Sequence, residues 1–98
     1  MPRVRLTGTL VCRDEAESEL VRDHLPAHIL RTRAEPGCLR FDVEPTADSS
    51  IWRVEELFAD EDAFTLHQRN AAVSAWGRAT AGIERRYEIT VEPTEPRE

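Results

Sequence analysis

Ile51-Trp52-Arg53-Val54-Glu55-Glu56-Leu57-Phe58, continued by Ala59-Asp60-Glu61-Asp62-Ala63-Phe64-Thr65-Leu66-His67, decides how the chain is read. Successive side chains of a strand point to opposite faces, so Trp52, Val54, Glu56 and Phe58 share one side of the first segment. Asp60 then predicts a helix start, because its side chain suits an N-cap and the acids Glu61 and Asp62 favour the positive end of the dipole. Ala63, Phe64 and His67 recur at one-turn spacing on the stripe that faces the sheet. Glu56 and His67 are thereby both aimed into the apolar layer between strand and helix, where the acid needs a donor and His67 is the nearest. A purely structural pair would read the same way as a site in which the carboxylate orients the imidazole and raises its basicity.

Outward from this stretch the other elements follow. Arg3 to Cys12 alternates Val4, Leu6, Leu10 and Cys12 with polar or small neighbours, the period of a half-buried strand, with Gly8 marking a close approach on the apolar face. Asp14-Glu15-Ala16-Glu17 predicts a capping box, with Glu17 reaching back to the Asp14 amide. Leu20, Val21 and His24 continue one stripe of that helix, and Pro26 predicts a kink or break before a second piece from Ala27 to Arg33. Glu35-Pro36-Gly37-Cys38 reverses the chain. Cys38 to Glu44 then alternates through Leu39, Phe41 and Val43, and the polar turn from Pro45 to Ser50 joins it to the Ile51 strand as a hairpin. Asn70 is predicted to cap an Ala-rich helix ending at Gly82, and Ile83 to Glu92 alternates through Tyr87, Ile89 and Val91. Pro93 and Pro96 lie in a charged tail, residues 93–98. The order predicts one α+β domain over residues 1–98: a ferredoxin-like βαββαβ antiparallel sheet with helices on one face.

Ninety-eight residues suffice for one core and leave no room for a separate cofactor domain. A formal charge of -6 without any basic run argues against nucleic acid or an anionic membrane as partner. The chain starts directly in an alternating pattern, and no apolar stretch approaches membrane-spanning length, so the expected location is cytoplasmic. Cys12 and Cys38 end different strand-like segments without ligand-type spacing, and are expected to stay free thiols. His24 and His28 have the i, i+4 spacing of a metal pair, but Pro26 lies between them and no motif supplies the remaining ligands, so no metal site is expected.

His28 and Arg33 before Glu35-Pro36-Gly37-Cys38-Leu39, then Glu56-Leu57-Phe58, Asp60, Ala63-Phe64 and His67, resemble the antibiotic biosynthesis monooxygenase family over most of the chain. The resemblance implies a dimeric α+β barrel, hence a homodimer, with a small pocket framed by the acid, the aromatic two residues later and the histidine. It also implies oxidation of quinols or phenolic polyketide-type aromatics by O2 without metal, flavin or haem, that is, with no cofactor. Many quinol monooxygenase-like members carry a second histidine where this chain has Ala71 and Ala72. The haem-degrading branch uses an asparagine in the first strand and a histidine in the last helix, where this chain has Thr7, Thr9, Ala75 and Gly77.

A phenol has a pKa near ~10, so a base that removes its proton is the main help a cofactor-free site can give. His67 is the candidate base and Glu56 its orienting acid. Trp52, Phe58, Phe64, Trp76 and Phe41, with His28 at the edge, would line the substrate pocket and exclude water, although each ring could equally be ordinary core. Two other functions stay open on the same residues: a non-catalytic ligand-binding or stress-response dimer, and a small-dicarbonyl isomerase reusing the base at carbon.

Overall fold

Alternation in the first strand sets the layers. In the computed structural model, which describes residues 2–93, Val4, Leu6 and Leu10 are buried under the helices. The elements run β1 (Arg3–Val11), α1 (Glu15–Arg33), β2 (Cys38–Pro45), β3 (Ile51–Phe58), α2 (Glu61–Val73), α3 (Ala75–Ala79) and β4 (Glu84–Glu92). The strands form one sheet in the order β2-β3-β1-β4 with every neighbour antiparallel, the ferredoxin-like topology the sequence predicts. Gly8 sits between Val54 and Tyr87, and a Cβ there would lie 2.1 Å from the Arg86 carbonyl oxygen, so the close approach expected at this glycine is real. Pro96 and the rest of 94–98 lie outside the described residues. Among the described residues no helix is long and apolar enough to cross a membrane.

Several local expectations give way to tertiary context. The helix α1 runs unbroken through Pro26, which is exposed, so the carbonyl freed one turn earlier faces water instead of the core. Its buried stripe is Ser18, Val21, Leu25, His28 and Thr32, and Leu20 falls at the margin. Asp14 caps it by accepting from the Glu17 N–H, but the Glu17 carboxylate bonds the Arg13 amide and guanidinium instead of the Asp14 amide. Those bonds hold the Glu17 carboxyl below the usual carboxylate range. A register shift between Cys38 and Arg40 turns Leu39 out to solvent and leaves Phe41 and Val43 inside. Asn70 lies within α2, which continues to Val73, and the cap of the next helix is Ser74, whose hydroxyl accepts from the Gly77 N–H. That helix stops at Ala79, short of Gly82.

The face away from the helices is an ion-pair lattice. Arg5 bridges Glu92 at 2.7 Å and Glu55 at 3.5 Å, Arg40 bridges Asp42 at 2.7 Å and Glu55 at 3.3 Å, and Arg53 meets Glu44. All but Arg40–Asp42, which lies within β2, are the cross-strand pairs that a mixed-sign face permits.

Candidate functional site

A cavity of about 380 Å³ lies between the sheet and the helices, bordered by His28 from α1, Phe41 from β2, Glu56 from β3, His67 from α2, Trp76 from α3 and Tyr87 from β4. His67 is 2% exposed. Its ring lies over Phe58, with centroids 5.0 Å apart and planes 28° apart, and meets Phe41 nearly edge-on. Its Nδ1 is 3.0 Å from Glu35 Oε1, and the other oxygen of Glu35 is 3.4 Å from the Asn70 amide nitrogen. A carboxylate accepts and does not donate, so the bond takes Nδ1–H as donor, and in the neutral ring Nε2 is then the bare nitrogen, on the side of the cavity.

Glu56 and His67 are neighbours, as the sequence predicts, but not a hydrogen-bonded pair: Nε2 and Glu56 Oε1 are 3.8 Å apart and Oε1 has no hydrogen-bond partner. Glu35 occupies the orienting place expected of Glu56, because the turn after α1 brings it under the helix. Glu56 is 5% exposed. Burial pushes its pKa up to about 8, helped by the charge of Glu35 and opposed by Arg85. At neutral pH it is therefore chiefly a neutral acid, and the expectation of a charged carboxylate fails for want of a close donor.

His28 stacks on Trp76 with ring centroids 4.9 Å apart and planes 9° apart, and its Nδ1 has no partner. Burial, with His67 and more distant arginines adding to it, lowers its pKa to about 4, so it stays a neutral ring in the cavity wall. Its companion His24 lies one turn away, half-buried and outside that wall.

Of the aromatic rings expected to line a pocket, Phe41 and Trp76 do so, whereas Trp52, Phe58 and Phe64 do not. The cavity is centred over Val54 and Glu56. Trp52 is displaced along β3 towards Leu10 and Pro45, and Phe58 is sealed beneath His67 and Phe64. Glu35 was not legible as a site residue from periodicity, since it lies in a turn; Arg85 shares the parity of Ile83 and Tyr87, opposite Leu10, so alternation places it on the inner face although its charge reads as surface. Arg85 borders the cavity with its guanidinium bound to the Thr80 carbonyl and hydroxyl at 2.7 and 2.8 Å. Tyr87, which reads as core, also borders it, and burial raises its hydroxyl pKa to about 12, so it remains a donor.

The sequence model described as "Antibiotic biosynthesis monooxygenase" matches residues 8–79, which include Glu35, Glu56, His67 and Trp76. The chain belongs to the antibiotic biosynthesis monooxygenase family. Solved structures repeat its fold. PA3566 from Pseudomonas aeruginosa is 21% identical with a TM-score of 0.74, over 96% of this chain and 97% of that one. Rv0793 from Mycobacterium tuberculosis is 20% identical with a TM-score of 0.73, over 95% and 97%. A conserved protein from Methanosarcina mazei Go1 is 19% identical with a TM-score of 0.73, over 95% of each. No curated protein matches the chain in sequence. Membership of the antibiotic biosynthesis monooxygenase family supports a monooxygenase-like function in general terms.

Proposed function

We propose that the protein is a cofactor-independent monooxygenase that oxidises a quinol or phenolic polyketide-type aromatic with O2. The observation that carries this reading is the bare Nε2 of His67 at the wall of an aromatic-lined cavity, with a neutral carboxylic acid 3.8 Å away. His67 takes the phenolic proton at Nε2. The electron-rich anion transfers an electron to O2, and the resulting radical pair combines into a peroxide that takes the proton back. Loss of water from the hydroperoxide leaves a carbonyl at the oxidised carbon: His67 takes the proton from the carbon that bears the peroxide as the O–O bond breaks, Glu56 gives a proton to the departing hydroxide, and the imidazolium returns a proton to Glu56. Phe41, His28 and Trp76 enclose the rings and keep water away from the anion. Ala71 and Ala72 also border the cavity, so the small side chains at the place of a second histidine leave volume for a fused-ring substrate.

Oxygen uptake with a panel of hydroquinones and anthrone-like phenols is the test. Catalysed uptake with stoichiometric quinone supports the reading, and uptake no faster than without protein removes it. A base and a neutral acid on facing walls also suit proton transfer within a small dicarbonyl. Deuterium exchange at carbon without oxygen uptake would select that isomerase instead.

A homodimer is part of the proposal. One sheet covered on one side leaves the face of Arg5, Arg40, Arg53 and Arg86 for a second copy to cover. Sedimentation at micromolar concentration is expected to return twice the monomer mass, and a monomer alone would refute this.

A further inference from the structure

We propose that Glu35 is the positioning residue of this site, holding His67 with Nε2 bare and supplying the anion that stabilises the imidazolium during turnover. The inference rests on the reading of His67 as base, and it reassigns to the Glu-Pro-Gly turn a role that alternation gives to Glu56.

Three observations converge on it. The only carboxylate oxygen within hydrogen-bond distance of either His67 nitrogen, among the described residues, is Glu35 Oε1, at 3.0 Å from Nδ1. Asn70, one turn along α2 from His67, is 3.4 Å from the other oxygen, so a single helix holds both the base and a clamp on its acid. Glu35 does not border the substrate cavity; it opens onto a second cavity of about 370 Å³ between α1 and α2, shared with Arg31 and Asn70. One face of the imidazole edge therefore meets substrate, and the opposite edge meets a carboxylate with access to water. The side chain of Glu35 is 15% exposed, against 7% for Glu56, so water reaches it more readily than its buried counterpart.

The turn is built to make this contact. Gly37 has φ +85°, open to glycine at no steric cost, and a Cβ there would lie 2.6 Å from the Ala63 methyl of α2. Its carbonyl accepts from the Ala59 N–H at 2.8 Å, tying the turn to the start of that helix. The chain can thus bring Glu35 beneath His67 across 32 residues of sequence.

Nitrogen-15 NMR of the His67 ring and steady-state oxygen uptake test the proposal together. The wild-type ring should carry its proton on Nδ1. Glu35→Gln keeps an acceptor oxygen without the charge: the tautomer should persist while kcat falls about 10- to 100-fold and KM stays within twofold, since Glu35 does not touch substrate. Glu35→Ala should lose the tautomer preference as well and fall further in kcat. An unchanged tautomer in Glu35→Ala, or full kcat in Glu35→Gln, would overturn the proposal. If no phenol is oxidised by the wild type, the monooxygenase reading fails while the tautomer still decides the role of Glu35. Should Glu35→Ala not fold, the charge-only change in Glu35→Gln remains decisive through kcat.

Discussion

His67→Ala is expected to lower kcat for phenol oxidation by about 10²- to 10⁴-fold, the range for loss of a positioned general base. The reason is local. Nε2 of His67 faces the cavity on a ring held by Glu35; His28 is the other imidazole in that wall, and although its Nδ1 has no partner, its depressed pKa makes it a poor proton acceptor. Tyr87, held protonated, cannot replace it. The substitution also removes a buried ring packed on Phe58 and Phe41 and leaves Glu35 with Asn70 alone, so stability should drop on the order of 2 kcal/mol. An oxygen electrode and a thermal melt separate the two effects. A folded variant with wild-type turnover would move the chemistry to another residue.

Glu56→Gln should change the pH dependence of stability more than any other single substitution. The carboxyl has an ordinary value of 4.5 and is raised to about 8 in the fold, so between those values the unfolded chain has lost a proton that the folded protein retains. Stability therefore falls as pH rises through this window, by at most about 1.4 kcal/mol per unit, and levels off above it. His28 has the opposite sign: it is lowered from 6.5 to about 4, and its contribution is lost as pH falls between those values. From pH 4.5 to 6.5 the two slopes oppose each other, which places the stability maximum there; from 6.5 to 8 only the Glu56 slope remains. Denaturant midpoints at pH 6.5 and 8 should decline in the wild type and stay level in Glu56→Gln. Parallel declines in both proteins would mean that Glu56 is ionised in the fold.

Strand parity and one-turn spacing were enough to bring Glu56 and His67 to the same interior layer, because both signals are local and the core rewards them directly. The pairing geometry within that layer was not legible. Glu35 reaches His67 from a turn, and turns carry no periodic signature of what they touch. The bulge that expels Leu39 is set by pairing with β3, and Pro26 survives in α1 because its freed carbonyl faces solvent; neither cause is written in the local pattern. Trp52 and Phe58 share the face of Glu56 as alternation requires, yet the helices decide which part of that face remains open.

The contact between Gly37 and Ala63 gives the site a mechanical dependence on two residues that have no functional groups. Their combined lack of bulk sets the gap across which the acid of the turn meets the base of the helix. A methyl group added on either side would act as a shim, widening that gap and detuning the imidazole from a distance without altering any atom the substrate meets. Under the proposed mechanism, reactivity is therefore adjustable by volume as well as by charge, at positions that a search confined to polar side chains would pass over.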